Sequence, residues 1–131
     1  MKRRIITFGT FDLFHIGHLK ILERAKKEGD YLIVGISSDE LNIQKGKKSV
    51  VPLNDRIEIV KSIKYVDEVF IEEKLELKDV YIKNFKADLL IMGDDWKDKF
   101  DWVSCPVKYL VRTPDISTTE IKNNIACNYN K

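Results

Sequence analysis

Ile5-Ile6-Thr7-Phe8 runs straight into Gly9-Thr10-Phe11-Asp12-Leu13-Phe14-His15-Ile16-Gly17-His18, after which Leu19, Leu22 and Ala25 recur at a spacing of three. The opening run is β-branched and aromatic and short enough for a buried strand, whereas the closing triplet marks one face of a helix. The segment reads as strand, loop, helix. Gly9 permits close approach of the backbone to a ligand, and the start of the helix offers unpaired N–H groups and the positive end of its dipole to a phosphate. His15 and His18 lie three residues apart, on about one face of the first turn, with Gly17 between them leaving room for a phosphate chain. Placed there, two imidazoles donate hydrogen bonds to phosphoryl oxygens as charge moves onto a leaving group. They are the only two histidines in the chain, and they lack the His-x-x-x-His spacing of a helical metal site.

Working outward, similar apolar runs occur at residues 31–36, 69–71, 89–92 and 107–111. Helical patterns separate them: Ile57, Val60 and Ile63 in one, and Leu77, Val80, Tyr81 and Phe85 on one face of another. Alternating strands and helices predict an α/β fold, a Rossmann-like parallel sheet of about five strands with helices on both faces and ligands beyond the carboxyl ends of the strands. The loops that follow strands, at residues 9–18, 93–102 and 112–119, are then the place to look for chemistry. At 131 residues the chain is expected to form a single domain over 1–131. With 44% hydrophobic and 34% charged residues it has the balance of a folded protein. A net charge of +2 supplies no global field for nucleic acid or an anionic membrane. No apolar run reaches the length of a membrane span, and Met1-Lys2-Arg3-Arg4 leads into a strand-like segment, so a cytoplasmic protein is expected. Cys105 and Cys127 have no metal-ligand spacing and read as free thiols.

A second segment, Arg112-Thr113-Pro114-Asp115-Ile116-Ser117-Thr118-Thr119-Glu120, opens the last helix. Ser117 and Glu120 form the pattern of a capping box. The same hydroxyl-rich helix start, preceded by Arg112, is also a phosphate cradle that a parallel sheet would set beside the histidine loop. Gln44-Lys45-Gly46-Lys47-Lys48 is the one conspicuous charge run, and by composition alone it is a solvated loop. Tyr31, Tyr65, Phe85, Trp102 and Tyr109 read as packing residues.

Taken together these segments resemble the cytidylyltransferase-like nucleotidyltransferases. Residues 9–18 match their HxGH signature, and residues 112–119 are similar to RTxGISTT. Lys64-Tyr65-Val66-Asp67-Glu68-Val69 resembles RYVDEV, and Met92-Gly93-Asp94-Asp95-Trp96 resembles MGDDW. In order and spacing the four motifs span essentially the whole chain and look most like those of the glycerol-3-phosphate cytidylyltransferases. The resemblance implies a homodimeric enzyme that uses Mg²⁺, bound mainly through the nucleotide phosphates, and CTP to make CDP-glycerol for teichoic-acid or other surface-polymer synthesis. It implies that Thr10 and Phe11 contact CTP through the backbone and that His15, His18 and Lys47 act on its phosphates as the catalytic groups. Arg112, Thr113, Ile116, Ser117, Thr118 and Thr119 would complete the nucleotide site, Asp95 and Trp96 would close it around the base and ribose, and Lys45 and Lys78 would hold the acceptor phosphate. Lys48 is left as surface. This chain has Lys64 in place of the family's arginine, losing a bidentate fork, and Asp115 in place of its glycine.

The implied reaction is in-line attack on the α-phosphorus without a covalent enzyme intermediate, which asks for positioning and charge neutralisation rather than a strong base. Rival readings are cytidylyl or adenylyl transfer to another phosphorylated alcohol or sugar phosphate, and a non-catalytic nucleotide-binding module that keeps the fold.

Overall fold

The computed structural model describes residues 2–111 and the helix Thr118–Tyr129; within that helix the described side chains are those of residues 121–126. Along the chain run β1 (Arg4–Gly9), α1 (Ile16–Lys27), β2 (Tyr31–Ser37), α2 (Asp39–Gln44), α3 (Leu53–Lys61), β3 (Glu68–Glu72), α4 (Lys78–Asn84), β4 (Leu89–Gly93), β5 (Val107–Leu110) and α5 (Thr118–Tyr129). The five strands form one sheet in the order β3-β2-β1-β4-β5, and every pairing is parallel. The α/β Rossmann-like fold read from the sequence is the fold observed.

The strands read as unbroken apolar runs because both faces of the sheet are covered. Successive residues point to opposite faces. Ile5, Val34, Ile36 and Ile91 pack with Leu22 and Ala25 of α1 and Val60 of α3. Ile6, Phe8, Ile33, Leu90 and Met92 pack on the other side with Ile82 of α4, Phe100 and Val103. Chain order runs outward from β1 to β3 and then returns to β4 beside β1. That reversal opens a crevice at the carboxyl ends of β1 and β4, where α/β sheets bind ligands.

Two elements differ from the sequence reading. Helix α2 was not expected; Ser38 caps it, its Oγ accepting the Leu41 N–H at 3.0 Å, with Asp39 and Glu40 facing the dipole in the first turn. In α4 the buried positions are Lys78 and Ile82, with Tyr81 and Phe85 half-buried, while Val80 is 47% exposed. The apolar stripe of the sequence lies to one side of the buried face because a lysine occupies the centre of that face. Trp102, expected to pack, is 56% exposed, its indole N–H donating to the Lys99 carbonyl.

Candidate active site

The loop after β1 is held in an unusual backbone shape. Phe11 and Leu13 both have positive φ, 54° and 47°, a conformation that non-glycine residues rarely adopt and that clusters at functional sites. The turn drives the Phe11 ring back over Gly9, where a Cβ would lie 2.7 Å from the ring. Phe11 therefore requires a glycine at position 9, and Gly9 also lines the cavity described below. Beyond the turn, His15 caps α1: its Nδ1 accepts the Gly17 N–H at 3.0 Å, and His18 Nδ1 accepts the His15 N–H at 3.2 Å. The imidazoles stack with centroids 3.9 Å apart. Because each Nδ1 is an acceptor, the proton of each neutral ring is assigned to Nε2, which makes Nε2–H the donor of both rings lining the cavity. Burial, and then the neighbouring His15, pushes the His18 pKa down to about 3. His18 is a neutral donor at physiological pH.

Two buried charged residues fasten the lysine loop to this turn. Asp12 accepts the N–H groups of Val50 and Val51, both at 2.8 Å, and faces Lys122 of α5 at 3.4 Å. Burial would raise its pKa, but the two N–H donors and Lys122 outweigh that and hold the carboxyl below its usual value. Arg56 of α3 has no solvent exposure. It donates to the carbonyls of Thr10 (2.9 Å), Ser37 (2.7 Å) and Val51 (3.0 Å) and to Asp39 (2.6 Å). One guanidinium thus joins the ends of β1 and β2, the start of α2 and the lysine loop. Neither residue carried a signal in the sequence, since their partners lie far away in the chain.

The fixed loops line a cavity of about 790 Å³ over the carboxyl ends of the strands. Of the residues singled out from the sequence, Thr10, Phe11, His15, His18, Lys45, Lys47, Lys78, Asp95 and Trp96 all line it. Lys45, at the end of α2, donates to Ser37 Oγ at 2.9 Å and Thr10 Oγ1 at 3.3 Å. Desolvation pulls its pKa down to about 8; Glu72 opposes this, and Lys47, Lys78 and Arg56 add to it. Lys78 is buried, its Nζ 2.6 Å from Glu72 and flanked by the rings of Phe8 and Phe100 at 4.2 and 4.4 Å. Desolvation lowers its pKa, opposed by Glu72. Lys47 is exposed on the rim. Lys48, left as surface, is exposed but also lines the cavity, and its carbonyl accepts from Lys122.

On the other side of the crevice, Asp94, Asp95 and Trp96 form a single 3-10 turn after β4, with Trp96 packed on Phe100 at 5.3 Å. Arg24 of α1 donates to the Val111 carbonyl at 2.8 Å, fixing the exit of β5. Arg112, Thr113, Ile116 and Ser117, with Asp115, lie outside the described residues. Thr118 and Thr119 open α5, but their side chains lie outside the description too. Lys64 lies away from the cavity, its ammonium 5.2 Å from the centre of the Tyr65 ring. Sequence reasoning missed Asp12, Ser37, Arg56, Glu72 and Lys122; only Ser38-Asp39-Glu40, a helix-start pattern, could have drawn attention to this corner.

The chain is 52% identical over 126 residues to a glycerol-3-phosphate cytidylyltransferase of Bacillus subtilis, covering 95% of this chain and 98% of that one. It is 45% identical to the enzyme of the same name from Staphylococcus aureus, covering 94% and 95%. Among solved structures, a lipopolysaccharide core biosynthesis protein from Thermoplasma volcanium superposes with a TM-score of 0.73 at 25% identity, over 86% of this chain and 98% of that one. The cytidylyltransferase-like family model matches residues 6–124, from within β1 into α5. A strand-to-helix turn whose two histidines cap the helix and line a crevice at the sheet's reversal is part of what that match spans, and the chain belongs to the cytidylyltransferase-like family.

Proposed function

We propose that this chain transfers CMP from CTP to glycerol 3-phosphate, giving CDP-glycerol, a building block for teichoic-acid or related surface polymers, and pyrophosphate. The observation that carries the reading is 52% identity over nearly the full length of a relative that bears that activity in its name. An acceptor phosphate oxygen attacks the α-phosphorus of CTP in line, and the bond from that phosphorus to the bridging oxygen breaks, pyrophosphate leaving with the electron pair. A phosphate monoester is mostly ionised near neutral pH, so no general base is required.

Catalysis then rests on positioning and on charge. Nε2–H of His15 and of His18 donates to the phosphates, with Lys47 on the triphosphate. Thr10 and Phe11 present backbone to the nucleotide. Asp95 and Trp96 border the base and ribose, and Arg112, Thr113, Ile116, Ser117, Thr118 and Thr119 complete that side. Lys45 and Lys78 hold the acceptor phosphate. Mg²⁺ would enter on the nucleotide phosphates and neutralise their charge. Its fit to this wall rests on donor type: Asp94 and Asp95 offer carboxylates, and among the described residues no three His, Cys, Asp or Glu side chains gather into a cage.

The working unit is proposed to be a homodimer in the cytoplasm, where CTP is made; among the described residues no helix is long and apolar enough to cross a membrane. Incubation with CTP, Mg²⁺ and equimolar phosphorylated alcohols, followed by mass spectrometry, tests the reaction. CDP-glycerol should dominate, and ATP should replace CTP poorly. A different favoured acceptor would overturn the acceptor, and preference for ATP would overturn the nucleotide. Sedimentation at micromolar concentration checks the dimer.

A further inference from the structure

At the inner end of the cavity a carboxylate stands among cations. Glu72 ends β3, the edge strand, and is 1% exposed. Its Oε2 accepts from Lys78 at 2.6 Å, and its Oε1 has the Ser37 hydroxyl at a long 3.5 Å. The same hydroxyl oxygen accepts from Lys45 at 2.9 Å, so Glu72, Ser37, Lys45 and Lys78 form one connected group on the cavity wall.

For holding a phosphate this group contains one residue too many. The two lysines attract a phosphate monoester, while a buried carboxylate beside them repels it and carries a heavy desolvation cost. An ionised carboxylate only accepts hydrogen bonds and has about four sites for them, of which one strong and one long contact use part. The remaining capacity suits a donor, and an alcohol hydroxyl is the donor that a phosphorylated polyol carries next to its phosphate. The geometry is fixed in advance as well: the rings of Phe8 and Phe100 clamp the Lys78 ammonium, and that ammonium holds the carboxylate in turn.

We propose that Glu72 is the specificity-determining residue of the acceptor site, its carboxylate accepting hydrogen bonds from the acceptor's alcohol hydroxyls while Lys45 and Lys78 hold the phosphate; this rests on the cytidylyl transfer proposed above. An acceptor without hydroxyls leaves a buried carboxylate short of donors, which a site built for hydroxyls penalises strongly.

The test is kcat/KM at saturating CTP and Mg²⁺ for three acceptors of equal chain length: glycerol 3-phosphate, propane-1,2-diol 1-phosphate and propyl phosphate. The wild-type protein should lose about 10²-fold from the first to the last, with the diol between them. Glu72→Gln should shrink that ratio at least about tenfold, because a neutral amide oxygen accepts more weakly than a carboxylate. A purely structural ion pair would lower all three values alike and leave the ratio intact, which overturns the proposal. Glu72→Leu combined with Lys78→Met removes both charges together and should flatten the ratio even where the single variant folds poorly. Should neither variant fold, the wild-type series decides, and use of propyl phosphate within threefold of glycerol 3-phosphate overturns the inference. Transfer to no acceptor at all overturns the cytidylyl-transfer reading and this inference with it, whereas transfer with an unchanged ratio overturns the inference alone.

Discussion

His15 has two duties that a single substitution can separate. Its Nδ1 caps α1 and its Nε2–H serves the phosphates. Asparagine caps helices well, so His15→Asn should melt within a few degrees of the wild type while turnover falls about 10²–10³-fold. His15→Ala should lose the same turnover and a further ~1 kcal/mol of stability. Thermal melts paired with steady-state kinetics check both, and near-normal turnover in a folded His15→Asn would sink the catalytic assignment. The two lysines divide in a similar way. Lys45→Ala should chiefly raise the KM for the acceptor and Lys47→Ala the KM for CTP, as expected of point charges serving different phosphates. With its pKa near 8, Lys45 in the empty enzyme loses its charge as pH rises through that value, so kcat/KM for the acceptor should fall above about pH 8. Lys45→Arg should remove that alkaline limb if it retains activity; a limb that stays in place assigns the titration elsewhere.

At the scale of the element, the start of α1 is a neutral anion site. His18 has its pKa lowered from 6.5 to about 3 by burial and by His15. The unfolded chain therefore binds a proton that the folded chain refuses. The sign follows: no penalty arises above pH 6.5, and stability falls as pH drops from 6.5 towards 3. In an NMR titration the His18 ring should keep constant shifts between pH 5 and 8, with Nδ1 unprotonated; an inflection near 6.5 would refute the neutral-donor account. The strand, loop and histidine spacing of this element were legible because each is local: a buried parallel strand is apolar at every residue, and a helix start declares itself by periodicity. What stayed hidden was long-range or too short to show a period. Helix α2 has six residues, less than two turns. Lys78 sits where α4 should show an apolar residue, and only the fold reveals that Glu72 and two rings wait for it. Asp12 and Arg56 bind backbone groups up to 39 and 46 positions away, contacts for which residue type gives no hint.

Across the whole molecule, Arg56 ties the parts that the reaction must hold in register. Arg56→Ala should cost roughly 2–4 kcal/mol, since it empties a fully buried site and removes the donor from the buried Ser37 carbonyl and from the half-buried carbonyls of Thr10 and Val51, while the half-exposed Asp39 carboxylate turns to water. Urea unfolding with an unchanged m-value and a lowered midpoint is the expected record, and a loss below about 1 kcal/mol would show that the hub is dispensable. The strand order carries a different lesson. The histidines and the turn after β4 occupy the middle of the sheet, whereas Glu72 and Lys78 occupy its outermost strand and the helix behind it. The edge strand β3 pairs with β2 alone, yet the Lys78 ammonium that holds Glu72 lies against the ring of Phe8 on β1, so a change at this margin is felt in the central crevice. The acceptor end of the crevice is thus mortised into the strand that leads to the histidines, and a pocket reshaped for another acceptor would have to be recut together with the part that handles the phosphates.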